Sequence, residues 1–372
     1  MNINVEPRQH GGDVWNLSRK YNIPIEDVID FSAPINFLGP PPKAIEAVKK
    51  GVDVIKFYPD QNPVGLKSQI CEYVKKISPT NVILGNGSME LIYLFVETFV
   101  QGGEIIIPVP SFTEYEKVSL LVSAEPRRVS ILPHFSLDVE AIKKAINANT
   151  RLLFICNPHS PSGKLYSRDL ILGLLDFCYQ KNVHVVVDEN YIDFVDTPEE
   201  YTLAHYSDVY DNLFVVRSFS KFFGMPGIRI GYGVGNRKLI QILETTRPPW
   251  CINSLALIAA EAALRDDEYV RKTREYVKKG RKQLTELLSE TRAFYVFPSE
   301  TNFLLVKILR EGVTAGYLRE KLARKGILVR DCSDFSGLDE SFLRITVRSS
   351  EENLTLVNML REIMGLSKFE VV

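Results

Sequence analysis

The chain has 372 residues, 45% of them apolar, with 45 Lys and Arg against 46 Asp and Glu for a formal net charge of -1. That composition excludes a disordered chain, which needs low hydrophobicity and high net charge, and the charge balance speaks against nucleic-acid binding, which needs a clustered excess of Lys and Arg. No uncharged apolar run approaches the roughly 18 residues of a membrane span, the start MNINVEPRQHGGD lacks a signal peptide's apolar core, and five scattered cysteines without a C-x-x-C pair indicate neither disulfides nor zinc; a soluble, cytoplasmic protein is expected.

In chain order, short β-branched apolar runs alternate with longer segments of helical period, the pattern of an α/β fold with a mostly parallel sheet covered by helices. Strands are predicted at 82–85, 104–108, 151–156, 183–188, 213–217 and 229–234, and helices at 88–100, 167–181 and 237–246. From about Asn253 long charged helices take over, with strand candidates at 302–307, 327–330 and 343–347, which reads as a smaller α+β domain. The basic stretch 271–282 carries apolar residues at helical spacing and reads as the solvated face of a long helix. Ser349 with Glu352 three residues later is a capping box that starts a final helix. The organisation expected is an N-terminal arm over 1–35 packing near the active site, a large domain over 36–252 and a small domain over 253–372, closely packed because no flexible linker separates them.

Ligands of an open parallel sheet sit at the carboxyl ends of its strands, and three polar motifs stand there. The first, Gly85-Asn86-Gly87-Ser88-Met89-Glu90, is a glycine turn opening a helix. Free N–H groups and the helix dipole suit a phosphate, with Ser88 adding its hydroxyl; a plain tight turn with a Ser N-cap is the other reading. The dinucleotide pattern G-x-G-x-x-G fails because Glu90 replaces the third glycine. The second, Val185-Val186-Val187-Asp188-Glu189-Asn190-Tyr191, is a buried strand ending in a carboxylate. A nucleotide hydrolase would also need G-x-x-x-x-G-K-[ST], which is missing; Asp188 either caps the next segment or holds a cationic ring nitrogen of a cofactor. The third, Ser218-Phe219-Ser220-Lys221 through Gly227-Ile228-Arg229, sets a lysine among aromatics just past a strand. Burial near other cations would make its amine nucleophilic, as Schiff-base chemistry requires, whereas a lone lysine ordinarily serves as an ion-pair partner. Arg229 and the two serines offer hydrogen bonds to a phosphate dianion.

The run S-x-S-K-x-x-x-x-x-G-x-R, preceded by D-x-x-Y and by Asn157-Pro158, resembles the pyridoxal-phosphate enzymes of the aspartate-aminotransferase fold, fold type I, over nearly the whole chain. The resemblance implies a large domain with a mostly parallel seven-stranded sheet flanked by helices, a smaller α+β C-terminal domain, and pyridoxal 5'-phosphate joined covalently to Lys221. Asp188 would pair with the ring nitrogen, Tyr191 and Asn157 would bond the phenolic oxygen, and Phe112 would stack on the ring. Ser88, Ser218, Ser220 and Arg229 would hold the phosphate, with Gly87 and Met89 in the same turn. Tyr58 resembles the tyrosine that reaches the phosphate from the neighbouring subunit, so a homodimer with shared sites is implied. One segment departs: the family commonly has N-P-x-N-P-T-G, and this chain reads Asn157-Pro158-His159-Ser160-Pro161-Ser162-Gly163. Asn157 survives, and His159 reads as a solvated loop histidine, with an acid–base role the alternative.

Within that superfamily the chain resembles two branches, the histidinol-phosphate aminotransferases and the threonine-phosphate decarboxylases of cobalamin biosynthesis, both acting on small phosphorylated amines. The segments His10-Gly11-Gly12-Asp13, 30–36 and 329–339, with Arg348-Ser349, are similar to the decarboxylases. The resemblance therefore implies decarboxylation of L-threonine O-3-phosphate to (R)-1-amino-2-propanol O-2-phosphate, with histidinol-phosphate transamination onto 2-oxoglutarate as the alternative. His10 and Arg330 are the candidates for the substrate phosphate, with Arg344 and Asn36 nearby and Asn302 and Trp250 also at the pocket. In an aminotransferase the arginine matching Arg344 grips the substrate carboxylate near the ring plane; in a decarboxylase Arg344 would hold the substrate in another orientation. A non-catalytic cofactor-binding regulator is disfavoured by the presence of Lys221.

Overall fold

A computed structural model of the chain describes residues 10–366; residues 1–9 of the expected arm lie outside the described residues. Its strands are β1 (Ile29–Asp30), β2 (Val82–Gly85), β3 (Glu104–Val109), β4 (Glu125–Ser130), β5 (Thr150–Cys156), β6 (His184–Asp188), β7 (Leu213–Ser218), β8 (Gly231–Gly235), β9 (Phe294–Val296), β10 (Phe303–Ile308), β11 (Ile327–Leu328), β12 (Arg330–Asp331) and β13 (Phe342–Thr346). A seven-stranded sheet runs in the order β2-β8-β7-β6-β5-β3-β4. The pairings from β7 across to β4 are parallel, and β8 lies antiparallel to both β7 and β2. Its strands read as unbroken apolar runs because both faces are covered: Leu153, Ile155, Val185 and Val187 enter one core, while Leu152, Phe154, Val186 and Phe214 enter the other.

The six predicted strands are present, with ends moved by at most two residues, and the predicted helices are Ser88–Phe99, Arg168–Gln180 and Arg237–Thr246. The seventh strand, β4, escaped the sequence reading. Its residues EPRRVS bury Val129 alone on this sheet edge, so neither an apolar run nor an alternation marks it.

The small sheet is antiparallel in the order β12-β13-β10-β9, and a parallel pair joins β1 to β11. The single strand predicted at 327–330 is thus two strands in two sheets, with β11 pairing to the N-terminal arm. The capping box is formed: Ser349 Oγ accepts from Glu352 N at 3.2 Å and Ser349 N donates back to the Glu352 carboxylate. The expected boundary at 252/253 falls before helix Ser254–Leu264, whose Ala256, Ala260 and Leu264 still belong to the large core. The next helix, Asp267–Glu290, passes from one core to the other, with Tyr269 and Val277 in the large core and Leu284 and Leu288 in the small one. Its basic residues are not simply solvated, as expected of 271–282. Arg274 Nε donates to Asp193 O at 3.0 Å and Arg281 to Thr301 O at 2.9 Å, which ties the two layers together. Among the described residues no helix is long and apolar enough to cross a membrane.

Candidate active site

A cavity of about 540 Å³ opens at the carboxyl ends of β6 and β7. One end is a cradle of hydrogen-bond donors. Gly87 takes φ +84°, and a Cβ there would stand 2.4 Å from Arg229 Nη2, so only glycine lets the turn approach the guanidinium. Helix Ser88–Phe99 starts at that turn and presents its free N–H groups to the cavity. Arg229, itself left-handed at φ 56°, reaches Asn86 O at 3.1 Å and Ser220 Oγ at 3.3 Å. Ser218 Oγ accepts from Ser220 N at 2.9 Å, and Ser88 Oγ accepts from Asn190 Nδ2 at 2.9 Å. A helix N-terminus, an arginine and three hydroxyls form a donor set for a dianion.

Lys221 and Asp188 face the same cavity. Burial, reinforced by the charges of Arg344 and Arg229 and opposed by Asp188, brings the Lys221 amine down to about 8. A minority, about a tenth to a fifth, is therefore neutral near physiological pH, far more than in an ordinary lysine, and that is the form that attacks an aldehyde. Asp188 is pushed upward by burial, and donors from Tyr115 and Asn190 pull it back. Tyr115 Oη donates to Asp188 Oδ2 at 2.7 Å, and Asn190 N to Oδ1 at 3.0 Å. Asn190 Oδ1 is buried without a hydrogen-bond partner, a polar atom left open at the site.

The far wall is cationic. Arg344 is buried, its guanidinium lies 5.3 Å from the centre of the Phe303 ring, and it donates only to neutral oxygens, Ser160 Oγ at 3.2 Å and Ser32 O at 3.1 Å; its Nε has no partner. At the mouth His10 Nε2 meets Glu114 Oε1 at 2.9 Å. That bond, with the Tyr93 hydroxyl and the charge of Lys117, outweighs burial and holds Glu114 down at about 2.

The cavity thus gathers Lys221, Asp188 and Tyr191, the cradle residues Ser88, Met89, Ser218, Ser220 and Arg229, and Phe112, His10 and Arg344. Other expected residues stand elsewhere. Asn157 is buried, exchanging hydrogen bonds with the Tyr166 backbone at 3.2 and 2.8 Å. Asn36 spends its amide on Phe222 O, Tyr269 Oη and Thr273 Oγ1 at 2.8–2.9 Å, so it braces helix Asp267–Glu290 rather than facing substrate. Arg330 forks onto Asp334 at 2.9 Å and lines a neighbouring cavity of about 630 Å³, which shares His10 and Gly11 with the first. Asn302 is buried, with neither amide atom hydrogen-bonded. Tyr58 is 79% exposed and stacks on Trp250 at 4.8 Å. His159 is not solvated: it is buried, its two nitrogens meet Ser162 Oγ and Pro110 O, and burial lowers it to about 4, leaving a neutral imidazole.

Tyr115, Asn190, Glu114 and Ser160 were missed. Asn190 stands two residues past Asp188 at a strand end, a signal that pointed to it; Tyr115 and Glu114 sit in a helix with no motif of their own.

The donor set fits pyridoxal 5'-phosphate: an amine near neutrality, a buried carboxylate opposite, and a glycine-lined anion cradle in one cavity. Among curated proteins, a relative named "Putative threonine-phosphate decarboxylase", from Caldanaerobacter subterraneus subsp. tengcongensis, is 38% identical over 96% of this chain and 94% of its own length. Histidinol-phosphate aminotransferase of Methanothermobacter thermautotrophicus is 32% identical over 97% and 95%. The solved histidinol-phosphate aminotransferase from Clostridium acetobutylicum superposes with a TM-score of 0.83 at 30% identity, covering 90% of this chain and 98% of that one. The family model "Aminotransferase class I and II" matches residues 26–360. The chain therefore belongs to the class I and II aminotransferases and is an enzyme whose cofactor is pyridoxal 5'-phosphate.

Proposed function

We propose that the enzyme decarboxylates L-threonine O-3-phosphate to (R)-1-amino-2-propanol O-2-phosphate for cobalamin biosynthesis, as a cytoplasmic homodimer with shared sites. The observation that carries this reading is the buried Arg344 on β13, whose register partner Arg330 on β12 is already paired with Asp334. Side chains directly opposite on antiparallel strands share a face, and like charges there repel. Arg344 has no carboxylate partner among the described residues, and an anionic group of the substrate would supply one. The 38% identical relative adds support.

When bound, the cofactor supplies the electron sink for the bond broken at the substrate's α-carbon. Asp188 would hold a proton at the ring nitrogen, and the turn with Ser88 and Arg229 would hold the phosphate. Arg344 would grip one anionic group of the substrate and so orient the substrate in the cavity. As carbon dioxide leaves, the electron pair stays behind and Lys221 Nζ, as its ammonium, delivers the proton that replaces it.

Transamination of histidinol phosphate is the second reading, favoured by the 32% identical relative. Purified holoenzyme is offered L-threonine O-3-phosphate alone and, separately, histidinol phosphate with 2-oxoglutarate. Carbon dioxide and aminopropanol phosphate are expected in the first mixture. Glutamate in the second with nothing in the first overturns the proposal. Lys221→Ala is expected to lose turnover and the visible cofactor band in either case.

A further inference from the structure

We propose that Tyr115 is a positioning residue for the cofactor: its phenol, donated to Asp188, keeps the proton shared between that carboxylate and the ring on the ring nitrogen. The inference rests on the cofactor and holds whichever substrate bond is broken.

Tyr115 is wholly buried in the first turn of helix Glu114–Leu121. Its ring lies flat on Phe154, centroids 4.4 Å apart and planes 6° from parallel, and meets Phe112 edge-on at 5.6 Å and 84°. Phe112 lines the cavity, so one aromatic stack connects the cavity wall with the phenol. Held from both sides, the hydroxyl donates to Asp188 Oδ2 at 2.7 Å, with the Cys156 thiol as its other neighbour. The Asn190 N–H occupies Oδ1. Each carboxylate oxygen carries one protein donor and keeps a lone pair for a partner in the cavity.

The groups facing Asp188 come from every element around it: Tyr115 from its helix, Cys156 from the end of β5, Asn190 and Tyr191 from the turn after β6, and Lys221 from the turn after β7. Burial alone would make this carboxylate strongly basic. Among the single contacts that counter burial, the Tyr115 bond comes first, ahead of either Asn190 bond and of the Lys221 charge. The Lys221 charge is lost once its amine has reacted, whereas burial lifts the Tyr115 phenol so far that it stays a donor at any working pH. Without that donor, the ring N–H bond breaks and an O–H bond forms on Asp188. No proton is gained or lost, and the ring, now neutral, withdraws electrons less well.

The test uses holoenzyme loaded with cofactor carrying nitrogen-15 in the ring. In Tyr115→Phe, which preserves the stack, the nitrogen resonance is expected to move from the pyridinium position toward that of free pyridine. With it kcat should fall about tenfold to a hundredfold, the size of a hydrogen bond to a charged group, while KM changes little. Phe154→Leu loosens the stack but keeps the phenol, and should leave the resonance in place. An unmoved resonance in Tyr115→Phe, or an equal displacement in both variants, overturns the proposal. Should Tyr115→Phe fail to retain cofactor, replacing Tyr115 with para-aminophenylalanine restores an N–H donor in the same position; an aminophenylalanine variant that behaves like the phenylalanine one overturns it equally.

Discussion

Lys221 owes its reactivity to its surroundings rather than to its own type. A lysine in water titrates near 10.4; here burial and the guanidinium of Arg344 disfavour the ammonium and bring the amine to about 8, Asp188 limiting the descent. Because the neutral amine is the attacking form, protein stripped of cofactor should capture added pyridoxal phosphate faster as pH rises toward and through about 8, then level off. Below that point the rate should fall about tenfold per pH unit. Stopped-flow measurement of the visible band gives the profile. Arg344→Met removes a cation beside the amine and should move the midpoint to higher pH; a midpoint that stays put removes Arg344 from the account. Lys221 and Asp188 were legible in the sequence because each stands at or just past a strand end, where an α/β sheet gathers its chemistry, and Arg229 because it closes the same motif as Lys221. Tyr115 was not, because the partner that gives it meaning lies 73 positions away across the sheet. Asn36 misled for the same reason: its amide is claimed by residues 233 and 237 positions on.

At the level of elements, the cradle depends on how closely β8 runs against the start of helix Ser88–Phe99. A Cβ on Gly231 would stand 2.7 Å from Ser88 N and 2.8 Å from Arg217 O, both main-chain atoms that move only if a whole element moves. Gly231→Ala should therefore push β8 away or turn the Ser88 N–H off the phosphate, costing about 1–3 kcal/mol of cofactor affinity, the usual scale of overpacking. Equilibrium dialysis against pyridoxal phosphate measures that cost. Gly173, in helix Arg168–Gln180, has open space where its Cβ would go. Gly173→Ala should leave cofactor affinity untouched and raise stability by about 0.5–1 kcal/mol. Equal affinities in the two variants would remove Gly231 from the cradle. The same reasoning separates the elements that could be read in advance from those that could not. Buried parallel strands such as His184–Asp188 announce themselves as apolar runs, and the last helix by its capping box. The edge strand β4, charged and holding a proline, shows itself only through its pairing with β3.

Over the whole molecule, the cavity is built from both layers: β6 and β7 bring Asp188 and the turn to Lys221, β13 brings Arg344, and the arm brings His10. Tyr58 is the expected cofactor contact that stands apart. With Ile55 and Phe57 it exposes an apolar patch, these three residues being 69%, 64% and 79% exposed in chain order, and stacks on Trp250 rather than entering its own chain's cavity. Exposed apolar side chains are what an interface buries, and in the homodimer proposed above Tyr58 would serve the neighbouring subunit's phosphate. Mixed dimers test this. Lys221→Ala and Tyr58→Ala homodimers should each be impaired, the first without turnover and the second with weakened cofactor binding. Unfolded together and refolded, the two variants form dimers in which one site has Lys221 from the Tyr58→Ala chain and Tyr58 from the Lys221→Ala chain, while the other site carries both defects. If Tyr58 acts across the interface, such a mixed dimer regains one intact site, about half the turnover of the native dimer at low cofactor concentration. If Tyr58 acts within its own chain, no site is made whole and turnover stays at the level of the Tyr58→Ala chains alone. Sedimentation of the unmixed protein as a monomer would rule out the shared site before any mixing.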